Sequence, residues 1–458
     1  MIILSIPYIN NRYIEELDNS MRSYRYLYEY RLDFHASPWN FPIEHLDDNS
    51  IITIREPQEG GIGEHDFTRK INFYKKAIEQ TNCLVDLELL TSGKHALSTD
   101  NLILSYHEIS GNLDTEKISE IINLSNQKKS RYLKLAIPCN NYGDLNIIAD
   151  LIKNSHKPIL WAGLGKLGKL SRLLFSMLGA TGTYIGRAGH EIVPDQLTDK
   201  EFFNFRHLVG KIQFKIGGLI GGDQVWSSLG LRFYNEYFRK KQMAAAYLPF
   251  PVEDLTDFQI WLHSDRILPE VYGFSVTMPW KKKILPETMS DAISANLYLP
   301  GLEELHDTDS RAFRKAFDYL GIKVDDKILI IGSGVMAETA MALLNSRKYG
   351  YIHARNKSKA QELARQYRFT FLSSEQLPNF FIDLLINCTP VGMNGENLLQ
   401  VFQLQKPPKA IDLPYSPQEH TILTQICHTE NLPCVDGRLF WKWQAEAQLK
   451  IFKKQLRR

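Results

Sequence analysis

The chain has 458 residues, 44% of them apolar and 23% charged, with a formal net charge of +2. This length exceeds one ordinary hydrophobic core, so two or three domains are expected. The near-neutral charge gives no reason to expect nucleic acid or an anionic membrane surface as a partner, and no apolar run approaches the roughly 20 residues that span a bilayer.

The opening "MIILSIPYIN" has no basic region and no small-residue cleavage site, so it reads as a first strand and not as a signal peptide. Further strand-like runs follow at 26–34, 51–55, 83–89, 102–107, 132–138, 158–163 and 179–186. Amphipathic stretches such as "FTRKINFYKKAIEQ" and "TEKISEIINLSNQKK" separate most of them. Eight strands alternating with helices predict a parallel (β/α)8 barrel, so the fold class is α/β. Polar residues concentrate in these strands. Glu29, Arg31 and Asp33 share one face, as do Asp86 and Glu88, because side chains alternate along a strand. Arg55 closes the third strand, His107 ends the fifth, Lys134 sits in the sixth, and Arg172 follows the seventh.

A boundary is expected within "EFFNFRHLVGKIQF" at 201–214. Beyond it, "KILIIGSGVMAETAMALL" (327–344) runs strand, Gly-rich turn, helix, and leads into a strand at 349–356. The turn Gly332-Ser333-Gly334-Val335-Met336-Ala337 is a GxGxxA pattern, which lets a backbone approach a pyrophosphate at a helix N-terminus. Where an NAD site carries an acid for the ribose, this chain reads His353-Ala354-Arg355-Asn356-Lys357, and those cations favour the 2′-phosphate of NADP(H). The five cysteines (Cys83, Cys139, Cys388, Cys427, Cys434) include no CxxC pair and read as reduced thiols of a cytoplasmic protein.

A lysine in an apolar strand has its ammonium form disfavoured by burial, and the neutral amine is the nucleophile that forms an imine with a ketone. His107 can move protons near neutrality, and Arg55 and Arg172 can clamp a carboxylate. Alone, this constellation fits a class I aldolase as well as a dehydratase.

The runs "EYRLD" (29–33), "IITIREPQEGG" (51–61), "VDLEL" (85–89), "SYHE" (105–108) and "LKLAIP" (133–138) resemble type I 3-dehydroquinate dehydratase, in order. The resemblance implies that Lys134 forms the imine and His107 moves the protons of water elimination. It implies further that Glu59 lies near the histidine, and that Glu29, Arg31, Arg55, Arg172 and Gln196 contact substrate. Ile192 stands where the family has a serine. In the second half, "GFSVTMPWKKK" (273–283), "HDTDSRAF" (306–313), "INCTPVGM" (386–393) and "DGRLFWKWQAEAQLKIF" (436–452) resemble shikimate dehydrogenase. That resemblance implies a catalytic pair of Lys281 and Asp309, with Ser228, Thr277, Asn296, Gln444 and Tyr415 at the substrate. It places Thr389 and Gly392 with the Gly-rich turn, Arg355 and Lys357 at NADP(H). Gly230 stands at the family's second serine and Asp307 at its asparagine, departures that predict weaker substrate contacts.

The expected architecture is an N-terminal dehydratase-like barrel at 1–208 and a two-lobed dehydrogenase-like unit. The latter comprises a substrate-binding lobe at 214–312, completed by 431–458, and a Rossmann-type NADP-binding lobe at 313–430. The expected function is dehydration of 3-dehydroquinate followed by NADPH-dependent reduction of 3-dehydroshikimate to shikimate. The partners are these small molecules, with no metal at either site. The alternatives are an active dehydratase with a weakened or inactive dehydrogenase half, or a non-catalytic metabolite-binding regulator of the same architecture.

Overall fold

The computed structural model describes residues 1–15, 26–91, 97–194, 196–211, 213–289, 292–415 and 420–457. It divides into two compact units, 1–218 with 223–271, and 219–222 with 272–458. No helix among the described residues is long and apolar enough to cross a membrane.

In the first unit, β1 (Ile2–Pro7), β2 (Leu27–Arg31), β3 (Ser50–Thr53), β4 (Leu84–Glu88), β5 (Leu102–His107), β6 (Tyr132–Pro138), β7 (Ile159–Leu164) and β8 (Thr183–Gly186) form one sheet. Its order is β7-β6-β5-β4-β3-β2-β1-β8. A parallel bridge between Leu160 and Gly182 brings β7 beside the run into β8, so the sheet nearly closes into a barrel. The inner face is layered by the two-residue alternation of each strand. Ile3, Ile51, Leu84, Ile103 and Leu160 belong to one apolar cluster. Two residues on towards the carboxyl ends come Ser5, Thr53, Asp86, Ser105 and Ala162. Register holds the polar layer together, pairing Ser5 with Glu29, Thr53 with Asp86 and Ser105 with Lys134.

The second strand is shorter than the expected run 26–34, because Leu32–Phe34 turns into a 3₁₀ helix. Residues 223–271 pack within the first unit through contacts distant in sequence. Asp257 accepts hydrogen bonds from the N–H groups of Tyr142 (2.7 Å) and Gly143 (3.0 Å) at the start of the helix Tyr142–Ile152. Tyr142 itself packs edge-on against Phe258 and tilted against Trp261, at centroid distances of 5.0 and 5.2 Å. Burial of three such rings is worth several kcal/mol, more than any hydrogen bond here.

Strands β9 (Lys215–Gly221) and β10 (Ala245–Pro251) come next in the chain. In the second unit, β11 (Val271–Val276), β12 (Leu297–Leu299) and β13 (Glu304–His306) run antiparallel, with Ser275 opposite Leu297 and Leu297 opposite His306. A six-stranded parallel sheet follows, made of β14 (Ile328–Ile331), β15 (Gly350–His353), β16 (Thr370–Phe371), β17 (Leu384–Asn387), β18 (Ala410–Asp412) and β19 (Cys434–Asp436). Its order, β16-β15-β14-β17-β18-β19, reverses direction at β14. A ligand crevice opens outside the carboxyl ends at such a reversal. Both faces are covered, as a parallel sheet requires. Ile328, Ile330, Leu384 and Ile386 pack with Phe313, Phe317 and Phe440, while Leu329, Ile331 and Leu385 face the opposite way towards Leu398 and Leu423.

Candidate active sites

Lys134 points inward from β6 and is 4% exposed. Its surroundings correct the apolar setting expected from Leu133 and Leu135, which lie on the other face. Nζ donates to Glu29 Oε1 at 2.8 Å and Asp86 Oδ2 at 3.0 Å, and lies 4.1 Å from the Tyr184 ring centroid. Glu29 is fixed in turn by Ser5 Oγ (2.5 Å) and Thr53 Oγ1 (2.9 Å), both donating to it. Burial alone would raise the Glu29 carboxyl, but Lys134 and Arg31 outweigh it and hold it below the usual carboxylate range. Asp86 behaves alike, with Arg55 and Lys134 outweighing burial. The site is therefore a buried cation held between two carboxylates.

Arg55 is 1% exposed and committed to protein partners. It reaches Asp86 Oδ1 at 2.9 Å and Glu88 Oε1 at 3.1 Å, and donates to Ser105 Oγ at 2.7 Å. Its position beside Asp86 orients that carboxylate, while its Nε and Nη2 have no hydrogen-bond partner and leave one edge of the guanidinium for a ligand. Lys70 completes this layer, pairing with Glu56 (2.7 Å) and Glu88 (2.9 Å).

His107 ends β5 opposite Ala136 of β6. Its Nδ1 lies 2.8 Å from Glu59 Oε2, which also accepts from the His107 backbone N–H at 3.1 Å. Burial, then Arg55 and Lys134, hold the imidazole well below its ordinary value. Burial, aided by Glu88 and Asp86 against the pull of Arg55, pushes Glu59 up to about 8. The pair thus keeps one proton on the carboxyl at neutral pH and releases it near pH 8. With Glu59 ionised, Nδ1–H donates to the carboxylate and Nε2 is free to accept a proton.

Arg31 is held bidentate by Asp33 at 2.9 and 2.8 Å. Arg172 differs. It is 3% exposed, donates to the Gly163 carbonyl at 3.1 Å and to that of Tyr184, and its Nε has no hydrogen-bond partner. Burial lowers its pKa to about 10, with Glu29 acting weakly the other way. Among the described residues no carboxylate pairs with this guanidinium, so it is suited to take one from a ligand. Gln196 is also buried with an unpartnered Oε1, lying where a β-carbon on Gly186 would meet it at 2.6 Å. Ile192 supplies no hydroxyl in this segment.

In the second unit, Lys281 Nζ lies 2.5 Å from Asp309 Oδ2 and 3.5 Å from Met336 Sδ. Asp309 is 1% exposed, and its Oδ1 has no hydrogen-bond partner. Asn296 Oδ1 accepts from Thr308 N–H (2.7 Å) and Oγ1 (3.0 Å), leaving a buried, unpartnered Nδ2. The departure at Asp307 has a local purpose, since its carboxylate accepts from Asp309 N–H (2.9 Å) and Ser310 N–H (3.1 Å) at the start of the helix Asp309–Leu320. Thr277, Lys281, Asp309, Tyr415 and Gln444 line one cleft of about 890 Å³.

Gln448, given no role by its sequence motif, braces this site. It accepts from Ser275 Oγ (2.6 Å) and donates to the Asn296 carbonyl (2.9 Å). Ser228, in the first unit, caps the helix Leu229–Lys240 by accepting from Gly230 N–H at 3.1 Å. A β-carbon on Gly230 would lie 3.0 Å from the Tyr247 ring, so the stacked Tyr234–Tyr247 pair takes the room a second serine needs.

The same cleft continues over Gly332, Ser333, Gly334, Val335 and Met336 to Arg355 and Thr389. Gly332 has φ +118° and approaches the Cys388 carbonyl, where a β-carbon would come within 3.0 Å. Nothing crowds Gly334, which begins the helix Val335–Leu344. Ala337 is buried beneath the turn, and Arg355 and Lys357 are exposed just past β15. Gly392, at φ +108°, turns the loop after Thr389 and donates to Glu396 at 3.0 Å. Bare backbone at a helix N-terminus flanked by two cations fits a phosphorylated dinucleotide.

Comparison with known proteins follows the same division. A family model described as type I 3-dehydroquinase matches residues 20–212, and one for the shikimate dehydrogenase substrate binding domain matches 220–296. The shikimate biosynthesis protein AroDE of Chlamydia trachomatis is 26% identical over 358 residues, 74% of this chain and 72% of that protein. A shikimate dehydrogenase (NADP(+)) of Pyrococcus abyssi is 30% identical over 52% of this chain and 92% of its own. A 3-dehydroquinate dehydratase of Methanococcus vannielii is 29% identical over 43% of this chain and 94% of its own.

Proposed function

The chain belongs to the shikimate dehydrogenase family and carries a type I 3-dehydroquinase domain earlier in its sequence, and from that premise we propose how two lysine centres divide the work of a bifunctional dehydroquinate dehydratase and shikimate dehydrogenase. The observation that carries the reading is that each half holds one lysine against a buried carboxylate, Lys134 at Glu29 and Asp86, and Lys281 at Asp309.

In the first half, Lys134 passes one ammonium proton to a flanking carboxylate and its amine adds to the C3 ketone of 3-dehydroquinate; that proton returns as the carbinolamine hydroxyl leaves as water, giving an iminium. Glu29 and Asp86 flank the nitrogen and stabilise its positive charge. The iminium withdraws electrons from C2, so His107 can remove the C2 proton. Return of that proton to the departing C1 hydroxyl completes the loss of water, and hydrolysis restores the amine. Arg172 pairs with the substrate carboxylate, while Gln196 and Arg31 contact it nearby. Arg55 orients Asp86 and offers its unpartnered Nε and Nη2 to the substrate. The proton of the His107–Glu59 pair gives this half a pH signature. Dehydration kcat/KM is expected to rise with pH through about 8 as Glu59 ionises, and Glu59→Gln is expected to lose that limb. A Glu59→Gln profile with the same limb would remove Glu59 from the role.

In the second half, Lys281 and Asp309 move a proton to the oxygen formed at the reduced carbonyl, and Asn296 Nδ2 and Gln444 hold the hydroxyls. NADPH, when bound, supplies the hydride. Arg355 and Lys357 hold its 2′-phosphate, and Arg355→Ala is expected to raise KM for NADPH about tenfold while moving that for NADH by much less. Equal changes for both cofactors would contradict the assignment. The domain boundaries proposed with this reading place the reductase substrate lobe at 214–312 with 431–458 and the nucleotide lobe at 313–430.

One assay tests the whole. The full chain given NADPH and 3-dehydroquinate, with no 3-dehydroshikimate, is expected to consume NADPH and yield shikimate. No consumption with either substrate would sink the reading, and consumption with 3-dehydroshikimate alone would remove its first half.

A further inference from the structure

His420, His428 and Asp436 gather outside both lysine centres, and neither reaction uses them. One donor atom from each lies within 4.8 Å of the others. The Nδ1 of His420 is buried without a hydrogen-bond partner, and at 3.6 Å from Asp436 Oδ2 it is too far to hydrogen-bond there. The two imidazole rings lie 4.8 Å apart and tilted by 44°. Asp436 is itself held in place, because its Oδ1 accepts from Leu439 N–H at 2.7 Å as the cap of the helix Gly437–Gln455. Its Oδ2 therefore points at the histidines with its partner oxygen already satisfied.

We propose that His420, His428 and Asp436 form a binding site for a divalent transition-metal ion of the Zn²⁺ class. Two imidazole nitrogens and one carboxylate oxygen suit Zn²⁺, Co²⁺ or Ni²⁺ and disfavour Mg²⁺ and Ca²⁺, which need more oxygen donors. Donors around such an ion stand roughly 2.0–2.2 Å from it, so a small turn of the exposed His428 ring closes the present gaps. Three protein ligands leave one position to water. The hydrogen bond on Asp436 Oδ1 is the outer support that orients a metal-bound carboxylate.

The location gives the ion a structural consequence. His428 lies in the helix Ile422–Thr429, and Asp436 ends β19 immediately before Gly437. Tyr415 and Gly437 both line the reductase cleft. An ion here ties the stretch that carries His420 to the start of the C-terminal helix, at the rim of that cleft.

The test uses the full chain stripped with chelator and titrated with ZnCl₂, alongside His428→Ala and His420→Ala. The wild-type chain is expected to bind one more Zn²⁺ per chain than either variant, with Kd at that site raised at least about tenfold in both. Added Zn²⁺ is expected to raise Tm of the wild type and not of His428→Ala, and CoCl₂ is expected to give the visible absorption of a low-coordinate nitrogen–oxygen site in the wild type alone. His428 is exposed, so its replacement leaves the fold intact. Equal stoichiometry and affinity in all three proteins would overturn the proposal, as would displacement of Zn²⁺ by an equal concentration of Mg²⁺.

Discussion

Replacing Lys134 by Arg or Ala is expected to lower dehydration of 3-dehydroquinate by roughly 10⁴-fold or more, the scale seen when a covalent nucleophile is removed. Reduction of 3-dehydroshikimate by the same proteins is expected to stay within about twofold of the wild type. The two replacements separate chemistry from stability. Lys134→Ala leaves Glu29 buried without the ammonium it touches, while Asp86 keeps Arg55, and breaking such a pair costs about 3–5 kcal/mol. Lys134→Arg keeps a cation between them but has no amine able to form an imine. If Lys134→Arg retained substantial turnover, the positive charge alone would be the catalytic element and the covalent route would fail. Thermal melting of both variants, read beside the rates, tells a folding loss from a chemical one.

Lys281→Ala is expected to give the reverse pattern, with reduction lowered by about 10²–10⁴-fold, the usual worth of a positioned proton donor, and dehydration unchanged. Asp309→Asn is expected to lose activity in the same range with a smaller change in KM, because the amide still accepts from Lys281 but cannot take its proton. The short contact of 2.5 Å between Lys281 and Asp309 is the basis of this expectation. Steady-state assays of both reactions on each variant check it. Loss of both activities in Lys281→Ala would contradict the assignment of one lysine to each reaction.

The reach of the sequence differed from residue to residue. The two-residue alternation of β6 identifies the face on which Lys134 lies, and the order of strand-like runs leads directly to a barrel. Alternation does not say which residues stand level with it across the barrel. Glu29 and Asp86 are 105 and 48 positions away, and only the parallel register brings them to the amine. That is why an apolar neighbourhood was expected and an acidic one found. Arg55 shows the same limit, since its partners Asp86 and Glu88 lie on a separate strand. Lys70 stands in the buried stripe of its amphipathic helix with Tyr74 and Ala77 at i, i+4 and i+7 spacing. That spacing was a signal available in the sequence.

In the second half, the Gly-rich turn was legible because strand, glycines and helix are contiguous. Gln448 was not, because its partners Asn296 and Thr308 are 152 and 140 positions distant. The placement of 223–271 with the first unit depends on Asp257 and the Tyr142, Phe258 and Trp261 rings, long-range contacts that no change in composition announces.

The central claim is that the buried amine of Lys134 forms a covalent bond with the first substrate. Sodium borohydride added to the full chain during turnover of 3-dehydroquinate reduces an imine to a stable secondary amine, and peptide mass spectrometry locates it. A substrate-derived adduct is expected on the peptide containing Lys134, absent from Lys134→Arg, with dehydration lost and reduction retained in the trapped protein. An unmodified Lys134 peptide in a chain that is turning substrate over, or an adduct on another lysine, would contradict it.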